Sequence, residues 1–138
     1  MERTPYGFPV DVAAGLEAAR RRVEELLKEE GFGVLTEIDV RQTLRQKLDR
    51  DFRPYLILGA CNPGLAHRAL EAEPGIGLLL PCNVVVEALP GGGSRVWFMD
   101  AVAAMGLVGN PGLAPIAAEA NERLHRVAER LGSRAAEA

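Results

Sequence analysis

Three side chains in the stretch Tyr55–Asn83 could do nucleophilic or soft-metal chemistry: Cys61, His67 and Cys82. Cys61 closes an apolar run and stands one residue before Asn62, the cap of an Asn-Pro-Gly helix start. A thiol near a helix N-terminus feels positive potential, which favours the reactive thiolate. Free cysteine also serves as a small buried hydrophobe, and that is its commoner role. The spacing of Cys61, His67 and Cys82 fits no metal motif, with no C-x-x-C and no second histidine close by, so no metal is assigned. His67 can pair with Glu71 one helical turn on. Asn62 and Asn83 each follow a cysteine. Together Cys61, Asn62, His67, Cys82 and Asn83 form the candidate ligand-binding set.

Other signatures are weaker. Glu37, Asp39 and Asp100 fall near strand ends, and acid–base work requires two of them to meet across a cleft. The glycines at 91–93 precede no Lys-Ser/Thr, so a hairpin explains them better than a phosphate loop. There is no G-x-S-x-G. No catalytic residue and no cofactor follow from these patterns.

The segment NPGLAHRALEAE (62–73) is echoed by NPGLAPIAAEAN (110–121). Capping accounts for the echo: asparagine caps, proline presets φ, and small residues let the first turn pack closely. Cys61 and His67 stand where the second copy has Gly109 and Pro115, so capping alone does not explain them.

The remaining pattern supplies the scaffold. Tyr6–Val10 reads as a short edge strand, and Asp11 as the cap of a helix running to Glu30 with Gly31 after it. Phe32–Ile38 alternates, with Phe32, Val34, Thr36 and Ile38 on one side. Asp39 caps a short helix, Val40–Leu48. Over residues 39–53 the basic run Arg41, Arg45, Lys47, Arg50 and Arg53 is interrupted by Asp39, Asp49 and Asp51, which suits a solvated amphipathic face better than an anion site. Tyr55–Cys61 and Ile76–Val86 are near-continuous apolar runs, as in strands buried on both faces, with a bulge or edge at Pro81. Pro90–Ser94 turns the chain into a partner strand, Arg95–Met99. Asn110 and Pro111 open a last helix to about Leu131. Its stripe excludes His125, which is expected to be exposed, and Ser133–Ala138 is expected to fray.

At 138 residues the chain is expected to be one domain, 1–138. The net charge is −3, and there are four Phe, two Tyr and one Trp. That balance opposes nucleic-acid binding, which needs a clustered basic surface and stacking rings. No apolar leader follows Met1, and glycines and prolines break the longest uncharged run, Ala101–Ala118, so no membrane span is expected. A soluble, cytoplasmic protein with two free thiols is the reading.

GFGVLTEIDV (31–40), FRPYLILGACNPGLAHRALEAEP (52–74) and IGLLLPCNVVV (76–86) resemble signature blocks of the family called domain of unknown function 302. The resemblance implies an α+β fold of TATA-binding-protein-like β-α-β(4)-α order. It also implies small soluble bacterial and archaeal proteins that form homodimers and have no established activity. Element order agrees: about five mainly antiparallel strands, two long helices on one face, and two short inserted helices. The apolar strands need cover on the second face, and a second copy can supply part of it, so a homodimer is expected. The function expected is small-ligand binding. The alternatives are a thiol-dependent enzyme or redox protein using Cys61, and a metal-handling module.

Overall fold

The computed structural model describes residues 3–135, with side chains through Gly132. Its strands are β1 (Gly7–Val12), β2 (Gly33–Asp39), β3 (Tyr55–Cys61), β4 (Cys82–Ala88) and β5 (Ser94–Met99). They form one sheet in the order β1-β5-β4-β3-β2, with every pair antiparallel. The helices are α1 (Leu16–Glu29), α2 (Val40–Leu48), α3 (Pro63–Ala72), α4 (Ala101–Gly106) and α5 (Ala114–Ala135), with 3-10 turns at Pro74–Leu79 and Pro111–Leu113. This is the expected α+β arrangement with a third short helix, α4. No helix among the described residues is long and apolar enough to cross a membrane.

Strand alternation sends one set of side chains to each face of the sheet. Phe8, Leu56, Leu58, Val84, Val86, Val96 and Phe98 meet Val23, Leu26 and Leu27 of α1 and Leu124 and Val127 of α5 in one buried core. The two long helices thus cover one face, because their apolar stripes have nowhere else to be buried. A second cluster joins Leu65 and Ala69 of α3, Ile76, Met105 of α4, and Leu113 and Ile116 near the start of α5. Ile76 goes to this cluster and not to the sheet. The run Ile76–Val86, expected as one strand, therefore divides into a 3-10 turn, a cis Leu80–Pro81 bond and β4.

Local competition explains the other departures. Asp11 does not cap α1. It lies opposite Arg95 in the β1–β5 ladder and accepts from it at 2.6 and 2.9 Å, so the strand continues to Val12 and Gly15 takes the cap position. The alternation expected over Phe32–Ile38 is interrupted by a register shift between Val34 and Thr36. Two residues on one strand then oppose one, and Thr36 and Ile38 change face relative to Val34. Pro111 opens a 3-10 turn before α5, and α5 runs past Gly132 to Ala135. Of the expected frayed tail, 136–138 lie outside the described residues. His125 is half-buried, stacked on Phe8 at 4.3 Å, with Nδ1 2.8 Å from the Asn121 carbonyl. The helix stripe alone misses it because β1 packs beside that flank of α5.

Asn62 and Asn110 each do two jobs. Asn62 caps α3 by accepting from Leu65 N, and its amide donates to the Glu30 carbonyl across the fold. Asn110 accepts from Gly112 N and donates to the Ala72 carbonyl. The echoed motif is thus a cap that also ties two segments together.

Glu30, just after α1, fastens α5. Arg126 donates to its carboxylate at 2.9 Å, and Arg123 donates to its carbonyl. The Arg126 hydrogen bond holds the Glu30 carboxyl below its ordinary value of 4.5, against the opposing effect of burial. A depressed folded-state value adds stability above the unfolded value, and that stability is lost as pH falls through the folded one. Urea midpoints should therefore drop on acidification below about pH 4.5, and Glu30→Gln should show a shallower drop in that window from a lower neutral-pH midpoint. Parallel profiles for the two proteins would remove Glu30 from the acid response.

Candidate functional site

The two thiols come close at one end of the sheet. Cys82 opens β4 opposite Ala60, next to Cys61 at the end of β3. Both line a void of about 20 Å³ with Asn62, Pro81, Met105 and Ile116. That volume suits a single water, not a small molecule. Cys82 is buried and Cys61 half-buried, and both are free. Burial pushes the Cys82 thiol up to about 11, with neighbouring Cys61 adding to the shift. At pH 8 almost none of it is thiolate, the nucleophilic form. Iodoacetamide should leave Cys82 unmodified in the folded protein at pH 8 and alkylate it after unfolding. Stoichiometric labelling of folded protein by mass spectrometry would contradict this burial.

His67 does not join the thiols. Its ring is exposed on α3 and lies 3.3 Å from Glu71. No group of three or more His, Cys, Asp and Glu side chains able to hold a metal occurs among the described residues. Glu37 pairs with Arg20, Asp39 caps α2, and Asp100 caps α4 while accepting from Asn121. These carboxylates serve three separate structural roles and face no common cleft. The Asp100 carboxyl lies below its ordinary value: the hydrogen bonds from Asn121 and Ala103 N outweigh burial, the largest single influence, which raises it.

Asn83 belongs elsewhere, on the sheet face opposite α1 and α5. The ladders align Ile38, Ile57, Val85, Trp97 and Pro9 into one apolar row across all five strands. Beside it runs a polar row of Tyr55, Glu87, Arg95 and Asp11. On the other side lie Thr36, Gly59 and Asn83. Gly59 is required there, since a Cβ would lie 2.2 Å from Thr36 Oγ1 and 2.9 Å from Pro81 Cγ. Helix α4 and Tyr6 stand at one margin of this face. They turn its β4–β5 half into a groove of about 720 Å³, lined by Val85, Trp97, Met99, Leu107, Asn83 and Arg53, among others.

Glu87 anchors the groove. Its side chain is only 9% exposed, an unusual position for a carboxylate without partners. It has two: Arg53 Nε donates at 2.7 Å and Trp97 Nε1 at 2.6 Å. Each carboxylate oxygen is thereby satisfied by a separate donor. The Arg53 guanidinium carbon also lies 4.6 Å from the Phe52 ring centre and 5.7 Å from that of Tyr55, within cation–π range. Burial raises the Tyr55 hydroxyl, and the Glu87 charge adds to the rise. The set Arg53–Glu87–Trp97–Tyr55 is absent from the expected site residues. One signal for it lies in the chain: Glu87 is a lone charge at the end of an apolar run, where burial demands a partner. The partners are 34 and 10 residues away, joined only by strand pairing.

The model of the family described as Domain of unknown function DUF302 matches residues 8–131. The chain belongs to the DUF302 family. The fold is also that of a solved structure, an uncharacterized conserved protein DUF302 from Bacillus stearothermophilus. It is 36% identical, with a TM-score of 0.84, and the match covers 91% of this chain and 97% of that one. No curated protein matches the chain. The DUF302 match runs from Phe8 in β1 to Leu131 in α5, so it contains the helix-side core and every strand that floors the groove.

Proposed function

We propose that this DUF302 protein is a homodimeric small-ligand binding protein whose ligand lies in the groove over β4 and β5. The observation that carries this reading is a concavity of about 720 Å³ with a buried, doubly satisfied carboxylate in its wall. Its size falls within the roughly 300–1,000 Å³ typical of ligand pockets, and apolar walls with a few fixed polar groups are their usual lining. The void between the thiols is too small for that purpose, so of the five residues expected at the site only Asn83 lines the groove.

In this reading the dimer interface covers the other half of the apolar row. Ile38 is 48% exposed and Leu35 69%, both on β2, whose outer edge pairs with no strand among the described residues. An uncovered apolar edge of this kind invites association. A second copy over Ile38 and Ile57 would leave Trp97 and Met99 open to a ligand.

Trp97 is the one tryptophan of the chain and lines the groove, so its emission reads groove occupancy directly. A metabolite panel is screened by thermal shift, and hits are titrated by Trp97 fluorescence. At least one compound should raise the melting temperature and change the emission saturably. If none does, the binding reading falls. Light scattering on a sizing column at micromolar concentration should give twice the chain mass, and a monomer would remove the dimer.

A further inference from the structure

Two charged residues, Arg53 and Glu87, line the groove, and they are not equally available. Glu87 is buried, and both of its oxygens are engaged. Arg53 is 49% exposed and spends only Nε on Glu87. Its two terminal nitrogens make no other hydrogen bond to the described residues. A guanidinium presents its donors in a planar fork, so with Nε fixed on Glu87 and the group held beside the Phe52 and Tyr55 rings, the terminal donors remain available to an oxyanion. The cation is therefore held in advance, which removes part of the ordering cost of binding.

The rest of the floor selects the body of the ligand. Val85, Trp97, Met99 and Leu107 offer apolar surface. Trp97 Nε1 is already given to Glu87, so the indole presents its apolar ring to the groove and no free donor. Resting on the ligand-binding reading above, we infer that the groove takes an amphipathic organic anion. Its oxyanion head pairs with the terminal nitrogens of Arg53, and its apolar body lies along Val85, Trp97 and Met99. A cationic head finds no free carboxylate in this wall.

Four ten-carbon probes test the inference by Trp97 emission and calorimetry: decanoate, decyl phosphate, 1-decanol and decylammonium. An anion should bind about tenfold more tightly than decylammonium, the size expected for a charge-assisted hydrogen-bonded head. The ratio of decanoate to decyl phosphate tells whether a carboxylate or a phosphate source fits better. In Arg53→Gln the anion preference should vanish while the decanol affinity stays within about twofold, and that retained affinity also shows a folded groove. Equal binding of all four probes, or an anion preference that survives in Arg53→Gln, overturns the ligand class and leaves the groove reading standing. If no probe changes the emission of either protein while the metabolite panel yields a saturable ligand, the anion class alone falls. If the panel also fails, both readings fall together. A Trp97 emission that shifts with protein concentration alone, with no response to any probe, assigns the face to a second copy and likewise overturns both.

Discussion

Glu87→Ala should lower stability by about 1–3 kcal/mol, the cost of leaving hydrogen-bonding groups without a partner in a poorly solvated place. The range follows from what the carboxylate holds. One oxygen takes Arg53 Nε at 2.7 Å, the other takes Trp97 Nε1 at 2.6 Å, and the group itself is nearly sealed. Truncation orphans the indole N–H and frees a guanidinium that is half in solvent already. Rehydration softens the second loss, so the indole carries most of the cost. Urea unfolding should show a lower midpoint with an unchanged slope, since little additional surface is exposed. Trp97 emission should move to the red as water reaches the indole. Glu87→Gln separates the two bonds. Its amide oxygen can still accept from Trp97, while its NH2 meets a donor on Arg53. That variant should keep the emission maximum and lose part of the stability. A Glu87→Ala protein with wild-type midpoint and emission would show that the carboxylate holds neither partner in solution.

Phe98→Ala should be the more damaging change, by about 3–5 kcal/mol. Phe98 is 1% exposed on β5, the strand between β1 and β4, and its ring stacks on Phe8 at 5.5 Å. Phe8 in turn stacks on His125 of α5 at 4.3 Å. Removing the ring leaves a cavity in the helix-side core and takes the support from one side of Phe8. Set against a typical domain stability of about 5–15 kcal/mol, the loss takes a large share of the total. Phe98→Leu refills most of the volume and should recover much of the stability, because volume-conserving apolar changes cost less. Thermal and urea denaturation of the two variants checks this. Equal losses for Ala and Leu would point to the ring stack and not to the cavity as the source.

These two residues differ in how far the chain itself reveals them. Phe98 falls in the strand already legible over Arg95–Met99, where pairing sends Val96 and Phe98 to the helix side. The importance of Glu87 depends on Arg53 and Trp97 arriving beside it, and neither is near in sequence. The same contrast holds at the thiols. Their proximity to a helix start is visible in Cys61-Asn62-Pro63. Their closure around a void of about 20 Å³ depends on Met105 and Ile116, which arrive from α4 and α5.

Local physics determined the parts list. Apolar periodicities, the Asn-Pro-Gly starts and the Pro-Gly-Gly-Gly turn marked the long helices, most strands and the hairpin, because these signals act over a few residues. Family-specific blocks within residues 31–86 carried the rest of the assignment. Tertiary structure decided whatever required two distant segments to compete for a residue. Asp11 went to Arg95 and not to a helix start, because the β1–β5 ladder offers a charged partner. Ile76 went to the second core and not to the sheet. A register shift turned Thr36 and Ile38 to the open face. The groove is the largest such outcome. It uses Val85 and Trp97 from an apolar row that crosses all five strands, and its buried carboxylate is satisfied from β5 and from the loop before β3. Such a site exists only once antiparallel pairing has set the register, since a one-residue slip turns every one of these side chains to the other face.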